Sequence, residues 1–192
     1  MERNRFWLLL IPLLLARCVP ATNTPTRDEP EADRIPFTRQ LRAENHLTTD
    51  EVRSLQFYLA RTITLNRALA SGEPRRVTHG RLVLREGRYI EEVVVDDGTP
   101  GIALGVNDDY VDISFEKGSS NLRFGSDPGF RSGPGTYGLW RRWSNGGWQV
   151  QFDGREYSAI GESALAYLEI DRQALLNVVT KRRVLPGRRI SP

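Results

Sequence analysis

The residues of this chain that could do chemistry are few and widely spaced. Its two histidines, His46 and His79, lie far apart, and neither has a second ligand-type residue at metal-binding spacing. We therefore expect both at the surface or at a strand edge. A serine hydrolase would need one of them as the base for a serine near Gly118 or Gly161. The run after Gly161 lacks the second glycine of the nucleophile elbow, which argues against such an enzyme.

Paired carboxylates are the next candidates for catalysis or for metal binding. They occur at Glu91-Glu92, Asp96-Asp97 and Asp108-Asp109, the last followed by Asp112. Two carboxylates within ~5–10 Å could cleave a glycosidic bond, and a group of them could hold a hard cation. However, adjacent acids on a strand point to opposite faces, and turns favour Asp for backbone reasons. We therefore predict no metal and no cofactor, and keep a carboxylate-based exported hydrolase as a distant alternative.

An aromatic segment, residues 137–157, is the first feature that suggests a ligand. It holds six aromatic residues within about twenty positions, with Arg141 and Arg142 among them, and the candidate ligand-binding residues are Tyr137, Trp140, Arg141, Trp143 and Trp148. Exposed indole rings beside arginines can stack on sugar rings. Burial is the explanation we expect, because a β domain without cysteines needs large apolar side chains in its core. The exposure of Trp140 and Trp143 distinguishes the two explanations.

A cationic segment, residues 181–192, ends the sequence. It contains no acid and five basic residues: Lys181, Arg182, Arg183, Arg188 and Arg189. Because Pro186-Gly187 breaks helices, we expect a flexible arm that attracts anionic lipid or an acidic protein face, or else a solvated end. Between Cys18 and Thr180 the chain has 19 basic against 23 acidic residues. This is not the charge pattern of a nucleic-acid-binding domain, so no nucleic-acid partner is predicted.

The N-terminal segment has the order of a bacterial export signal. Arg3 and Arg5 precede the apolar block FWLLLIPLLLA, which at 11 residues is shorter than the ~17–25 residues that span a bilayer. The run Leu15-Ala16-Arg17-Cys18, which ends in the only cysteine, resembles the lipobox of bacterial lipoprotein precursors. Arg17 stands where that pattern has a small residue. The resemblance implies a signal peptide over residues 1–17 and a lipidated Cys18 that anchors the protein in a membrane, facing the periplasm or the exterior.

Two other outcomes stay open for this segment. Val19-Pro20-Ala21 offers small residues to an ordinary signal peptidase, and cleavage after Ala21 would release a soluble, secreted protein. An uncleaved leader would leave the chain anchored by its apolar block. Each outcome still takes the domain out of the cytosol.

The rest of the chain divides by composition. Residues 18–36 alternate prolines with polar residues and contain hardly any large apolar side chain, which predicts a disordered tether. Residues 37–180 are enough for a single β-rich domain, and residues 181–192 form the basic tail. No cysteine follows Cys18, so packing must stabilise the domain.

Local patterns in residues 37–180 predict mostly strands. Thr48 and Glu51 have capping-box spacing, which predicts a short helix. Apolar residues alternate from Leu55 to Leu69, which predicts one long, bent strand. Glu86-Gly87 and Asp153-Gly154 are hairpin turns. Further strands are expected over Thr136–Trp143 and Ala164–Ile170, with a surface loop over Gly125–Gly135 and a helix from Asp171 through Val179.

These elements add up to a mainly β fold, an antiparallel barrel or sandwich of about nine or ten strands with short terminal helices. The function predicted from the sequence is that of a non-catalytic, membrane-tethered envelope lipoprotein that binds or scaffolds another envelope component. Its partner would be an envelope protein, a glycan or an anionic lipid. An exported glycan-binding module that uses residues 137–157 is the alternative.

Overall fold

The computed structural model of the protein describes residues 33–126 and 135–183. The predictions for residues 1–17, for Cys18 and for most of the tether lie outside the described residues. So do the centre of the Gly125–Gly135 loop and the tail cations Arg188 and Arg189. The residues that the structure describes all belong to one compact unit.

Antiparallel strands in two sheets are the predominant regular structure of these residues, which confirms the mainly β fold class. The seven-stranded sheet contains, in spatial order, β1 (Arg34–Pro36), β13 (Leu168–Asp171), β2 (Phe57–Leu59), β6 (Pro100–Val106), β7 (Tyr110–Ser114), β8 (Leu122–Ser126) and β9 (Tyr137–Leu139). The six-stranded sheet contains β10 (Arg142–Ser144), β11 (Gly147–Phe152), β12 (Arg155–Ala159), β3 (Ile63–Ala68), β5 (Arg88–Val95) and β4 (Arg81–Arg85).

The core is formed by the inner faces of both sheets. Alternate residues along each strand point inward, and those from the two sheets pack in one cluster that includes Phe57, Ile113, Phe124, Leu65 and Val150. Each of these five side chains is buried. The domain is therefore stabilised by apolar packing between the sheets, as a chain without a further cysteine requires.

The seven-stranded sheet curls back on itself. Its last strand, β9, is hydrogen-bonded through Tyr137 N to Phe37 O at 3.0 Å and through Leu139 N to Ala166 O at 2.9 Å. Phe37 and Ala166 flank the ends of β1 and β13, the strands at the opposite edge. These two bonds cover part of the β9 edge, because two of its backbone N–H groups already have partners.

Tight turns join the neighbouring strands of the six-stranded sheet. Glu86-Gly87, Asn145-Gly146 and Asp153-Gly154 all have positive φ at both residues. That conformation matches the type I′ turn, whose twist suits a two-residue hairpin. The hairpins predicted at Glu86-Gly87 and Asp153-Gly154 are thus confirmed.

The predicted long strand over Leu55–Leu69 is in fact two strands in different sheets. β2 ends at Leu59 in the seven-stranded sheet, and β3 begins at Ile63 in the six-stranded sheet. The inward side chains of both strands are buried, so the two-residue period continues across the break. The prediction was wrong about continuity because the alternation records which side chains face the core and not which strand is the neighbour.

Three α-helices and one 3₁₀ helix complete the described residues. They are α1 (Arg39–Glu44), α2 (Thr49–Ser54), the 3₁₀ helix Gly161–Leu165 and α3 (Arg172–Arg183). The capping box of α2 is confirmed, since Glu51 N donates to Thr48 Oγ1 at 3.3 Å and Thr48 N donates to Glu51 Oε2 at 2.8 Å. The 3₁₀ helix replaces the start of the strand predicted over Ala164–Ile170.

Both predicted ends of the domain need correction. Residues 34–36 form β1 and so do not belong to the tether; Pro36 is tolerated there because β1 is an edge strand with one hydrogen-bonded neighbour. At the other end α3 runs through residues 181–183, beyond the predicted end at Val179. Asp171 caps this helix by accepting from Ala174 N at 2.9 Å, and no helix breaker occurs before Pro186.

Candidate functional site

The hairpin of β10 and β11 carries the aromatic side chains that the sequence singled out. It lies at the edge of the six-stranded sheet, where β10 has a strand on one side only. Trp143 and Trp148 are directly opposite each other in the register, each two positions from the turn at Asn145-Gly146. Cross-strand partners of this kind lie close enough for their rings to interact.

The two indoles and one arginine form a partly exposed cluster, which we call the aromatic surface: Arg141, Trp143 and Trp148. The Trp143 and Trp148 ring centroids are 5.0 Å apart with planes at 77°, an edge-to-face pair. The Arg141 guanidinium lies 4.6 Å from the Trp148 ring centroid. Trp143 is 60% exposed. The expectation that the tryptophans are buried in the core is therefore wrong for Trp143, which lies on the edge strand of its sheet.

Trp140 is exposed as well, but it lies against the other sheet. Its side chain is 53% exposed, and it covers Gly125 of β8, where a Cβ would come within 2.2 Å of Trp140 Cε3. Its backbone N donates to Arg123 O at 2.8 Å. The single strand predicted over Thr136–Trp143 is in fact two strands, β9 and β10, which residues 140 and 141 separate.

Tyr137 does not belong to a ligand surface, and the prediction that it binds a ligand is corrected. The residue is fully buried, and its ring stacks on Phe37 with centroids 4.8 Å apart. Its hydroxyl donates to Asp108 O at 3.1 Å. Because the ring and the hydroxyl both have partners inside the fold, Tyr137 is a core residue.

Glu91, Glu92 and Asp112, which the sequence offered among the possible catalysts, are engaged by arginines. Glu91 and Glu92 are both buried and, as neighbours on β5, point to opposite faces. Glu92 accepts from Arg81 at 2.8 and 2.6 Å and from Arg85 at 2.5 Å. On β7, Asp112 pairs with both ends of the Arg123 guanidinium. These carboxylates hold the fold together through charge-assisted hydrogen bonds.

Glu91 lies in a network of charges that also includes Arg67, Glu73 and Arg155. It accepts from Arg67 Nε at 2.9 Å and Nη2 at 2.7 Å, and the same guanidinium donates to Glu73 at 3.1 and 2.8 Å. Hydrogen bonds from Arg67 lower the pKa of Glu73 to about 2. Burial raises the pKa of Tyr157, and the charge of Glu91 adds to this. The network fixes the segment after β3 to the sheet.

A second candidate site lies between the two sheets, in a pocket of about 210 Å³. Three polar side chains meet at its wall: His79, from the segment before β4, and Glu116 and Ser120, from the loop between β7 and β8. His79 Nδ1 is 2.6 Å from Glu116 Oε1, and His79 Nε2 is 3.2 Å from Ser120 Oγ. Asp153 Oδ2, in the turn between β11 and β12, is 3.3 Å from the same Nε2.

The pocket combines this polar wall with apolar ones. The apolar lining consists of Val93, Val95, Ile113, Phe115, Leu122 and Phe152. The Phe152 ring packs edge-to-face on the imidazole with centroids 5.3 Å apart. His79 is therefore held by its ring face and by both of its nitrogens, and it is not the edge residue that the sequence suggested. No short motif signals this site, because its members come from three separate loops.

Lys181 is exposed at the last turn of α3, and Arg182 and Arg183 lie in the same turn. Over residues 33–126 and 135–183, no group of His, Cys, Asp and Glu side chains could hold a metal ion. Within the same ranges, no helix has the length and apolar character needed to cross a membrane.

No family model matches this chain, and comparison with curated proteins and with solved structures finds no match. A function is therefore inferred from the geometry of the described residues.

Proposed function

We propose that this protein is a tethered envelope module that binds a glycan on its aromatic surface. The observation that carries the proposal is the exposure of Trp143, which is 60% accessible while it contacts Trp148. Leaving a large indole in water forgoes the ~1.5–3 kcal/mol that burial of a large apolar side chain gives. Such a side chain is typical of a binding surface, where an aromatic ring supplies contact area at low conformational cost.

The chemistry of the surface fits a sugar ring. A pyranose ring presents a face of polarised C–H groups, which the negative face of an indole attracts. Trp148 holds Trp143 at a fixed angle, and Arg141 is fixed in turn by donating to Leu139 O at 3.2 Å. The guanidinium adds a positive charge beside the rings, which favours sugars that carry hydroxyl and carboxylate groups. A preorganised surface loses little entropy when it binds.

Trp143→Ala tests this function. We expect the variant to sediment with purified peptidoglycan sacculi at least ~10-fold more weakly than wild type, since aromatic anchors of binding surfaces contribute ~2 kcal/mol or more. Sedimentation at ~0.5 M NaCl screens unspecific attraction between arginines and the anionic sacculi. Thermal unfolding should be nearly unchanged, because the side chain is exposed.

Trp140→Ala is the matched control, since it removes an indole of similar exposure that lies against the seven-stranded sheet. It should bind sacculi as wild type does. Equal losses in the two variants would show unspecific adhesion through tryptophan, and binding that survives Trp143→Ala would contradict the aromatic surface as the site.

Anchoring through Cys18 is a separate part of the proposal, and it has its own test. Mass spectrometry of the mature protein should find acyl chains on a chain that begins at Cys18, and Cys18→Ala should abolish that added mass. A mature chain that begins at Thr22 would contradict the anchor and indicate secretion after cleavage at Ala21. Glycan binding by the aromatic surface would be unaffected by this outcome.

A further inference from the structure

We propose that Ser120, His79 and Glu116 form a nucleophilic triad that cleaves carboxylic esters of short acyl chains. This activity is independent of glycan binding, because it uses none of the residues of the aromatic surface. The proposal stands on the arrangement of three side chains around one imidazole and on the apolar pocket that they share.

The order of contacts around the imidazole is that of a serine, base and orienting acid. Glu116 Oε1 is 2.6 Å from His79 Nδ1, so it accepts a hydrogen bond from Nδ1–H, and Nε2 is then the unprotonated nitrogen that acts as the base. Ser120 Oγ is 3.2 Å from Nε2, which is the distance of a nucleophile–base hydrogen bond. The geometry therefore meets both pairwise requirements of nucleophile activation.

Burial keeps these contacts in place. Ser120 is 7% exposed and the His79 side chain 14%, so bulk water does not compete strongly for their hydrogen bond. Phe152 packs on the imidazole ring. Asp153 Oδ2, 3.3 Å from Nε2, can accept a hydrogen bond from that nitrogen once it is protonated. The Asp153 carboxylate thereby stabilises the imidazolium that forms during the reaction.

Gly80 allows the segment that carries His79 to pack closely against β5. Gly80 has φ +67°, and a Cβ there would lie 2.1 Å from Glu92 O of β5. The backbone of residues 79 and 80 can approach the sheet this closely only without a side chain at Gly80. The base from this segment and the nucleophile from the β7–β8 loop are 41 positions apart in the sequence, yet they meet above the pocket.

The pocket selects the substrate class. Its walls beside Ser120 are apolar, and its volume of about 210 Å³ is below the ~300–1,000 Å³ of sites that take drug-sized ligands. An acyl chain of a few carbons fits such a space, whereas a long chain does not. The alcohol part of the ester would extend towards the solvent, where Glu116 and Asp153 are partly exposed.

The reaction balances with water as its co-substrate. Ser120 Oγ bonds to the ester carbonyl carbon as its proton passes to His79 Nε2. The bond to the alcohol oxygen then breaks, and Nε2 returns the proton to the leaving alcohol. Water next attacks the acyl carbon and gives a proton to Nε2, and the bond to Ser120 Oγ breaks as the serine takes that proton back. The products are one carboxylic acid and one alcohol.

A fluorophosphonate probe tests the nucleophile in the full chain. Ser120 Oγ should bond to phosphorus and displace fluoride, and peptide mass spectrometry should find the adduct on Ser120. Ser120→Ala should abolish the adduct, and His79→Gln should slow labelling by ~10²–10⁴-fold, the contribution of a general base. Ser119→Ala is the matched control, since Ser119 is the exposed neighbour in the same loop. It should label at the wild-type rate.

Two further measurements separate a positioning role of Glu116 from a structural one and define the substrate. Glu116→Gln should lower the maximal labelling rate at least ~10-fold without changing the probe concentration that gives half of it. 4-Nitrophenyl acetate should be hydrolysed faster than 4-nitrophenyl decanoate. Folded wild type that is unlabelled at Ser120, or that is labelled equally fast without His79, would overturn the proposal. The aromatic surface shares no residue with the triad, so failure here would leave glycan binding untouched.

Discussion

Replacing Arg67 by alanine is expected to lower the free energy of unfolding by about 3–5 kcal/mol, the cost of leaving a buried charge without its partner. Glu91 is 1% exposed and depends on the Arg67 guanidinium for its two short hydrogen bonds. Arg155, the other cation near Glu91, is 3.7 Å away and half exposed, so it compensates little. Urea unfolding with a constant m-value measures the loss.

Arg85→Ala is the matched control for this prediction. Arg85 also donates to a buried glutamate of β5, but Glu92 keeps a second partner in Arg81. Arg85 itself is half exposed. We expect a loss below ~1 kcal/mol, as for other exposed ion pairs. Similar losses in the two variants would contradict the view that the burial of Glu91 is what makes Arg67 essential.

The same network predicts a change in acid stability. Because the pKa of Glu73 is lowered to about 2, its ionised form favours the folded state. That contribution is fully present above the ordinary value of 4.5 and is lost as the pH falls through about 2. Arg67→Ala removes it, so between these pH values its stability should fall less steeply than that of wild type. Parallel pH profiles would show that Glu73 is not coupled to Arg67.

Replacing Gly80 by alanine is expected to destabilise the domain by about 2–4 kcal/mol and to slow labelling of Ser120. The φ of +67° is strained for alanine, at a cost of ~1–2 kcal/mol. The new Cβ would lie 2.1 Å from a backbone oxygen of Glu92, which forces the backbone apart at a cost of ~1–3 kcal/mol. His79, the adjacent residue, moves with it.

Gly72→Ala separates these two causes. Gly72 lies in the same connection between β3 and β4 and has φ +85°, but nothing is within 4 Å of the position of its Cβ. Only the strain should remain, about 1–2 kcal/mol, with labelling of Ser120 unchanged. Equal effects of the two substitutions on stability and labelling would contradict the close approach of Gly80 to β5.

Local signals predicted the local structure well. The capping box at Thr48 and Glu51 and the turn at Asp153-Gly154 are confirmed, because residues at most three positions apart encode them. The alternation in Leu55–Leu69 predicted the buried face but not the break between sheets. Strand β1 was missed because its hydrogen bonds come from Leu168–Asp171, at the far end of the domain.

The sites were harder to predict, since their members meet only through the fold. Trp143 and Trp148 were named from the sequence, but their exposure depends on the position of β10 at the sheet edge. Trp140 lies against Gly125 of β8, and a glycine gives no sequence signal of such a contact. The sequence argued against a serine hydrolase, because nothing in the local pattern shows that His79 lies beside a serine near Gly118.

The pairing of β1 with β13 determines how the domain would respond to a mechanical load. Arg34 is opposite Asp171, and Arg172 N donates to Asp33 O at 3.0 Å. A force applied at Asp33 across the strand direction would therefore open these hydrogen bonds one after another, starting at the bond between Arg172 N and Asp33 O. Phe37, fully buried and stacked on Tyr137, is where this opening would stop. Such a force would thus detach the three residues of β1 before it strained the rest of the domain.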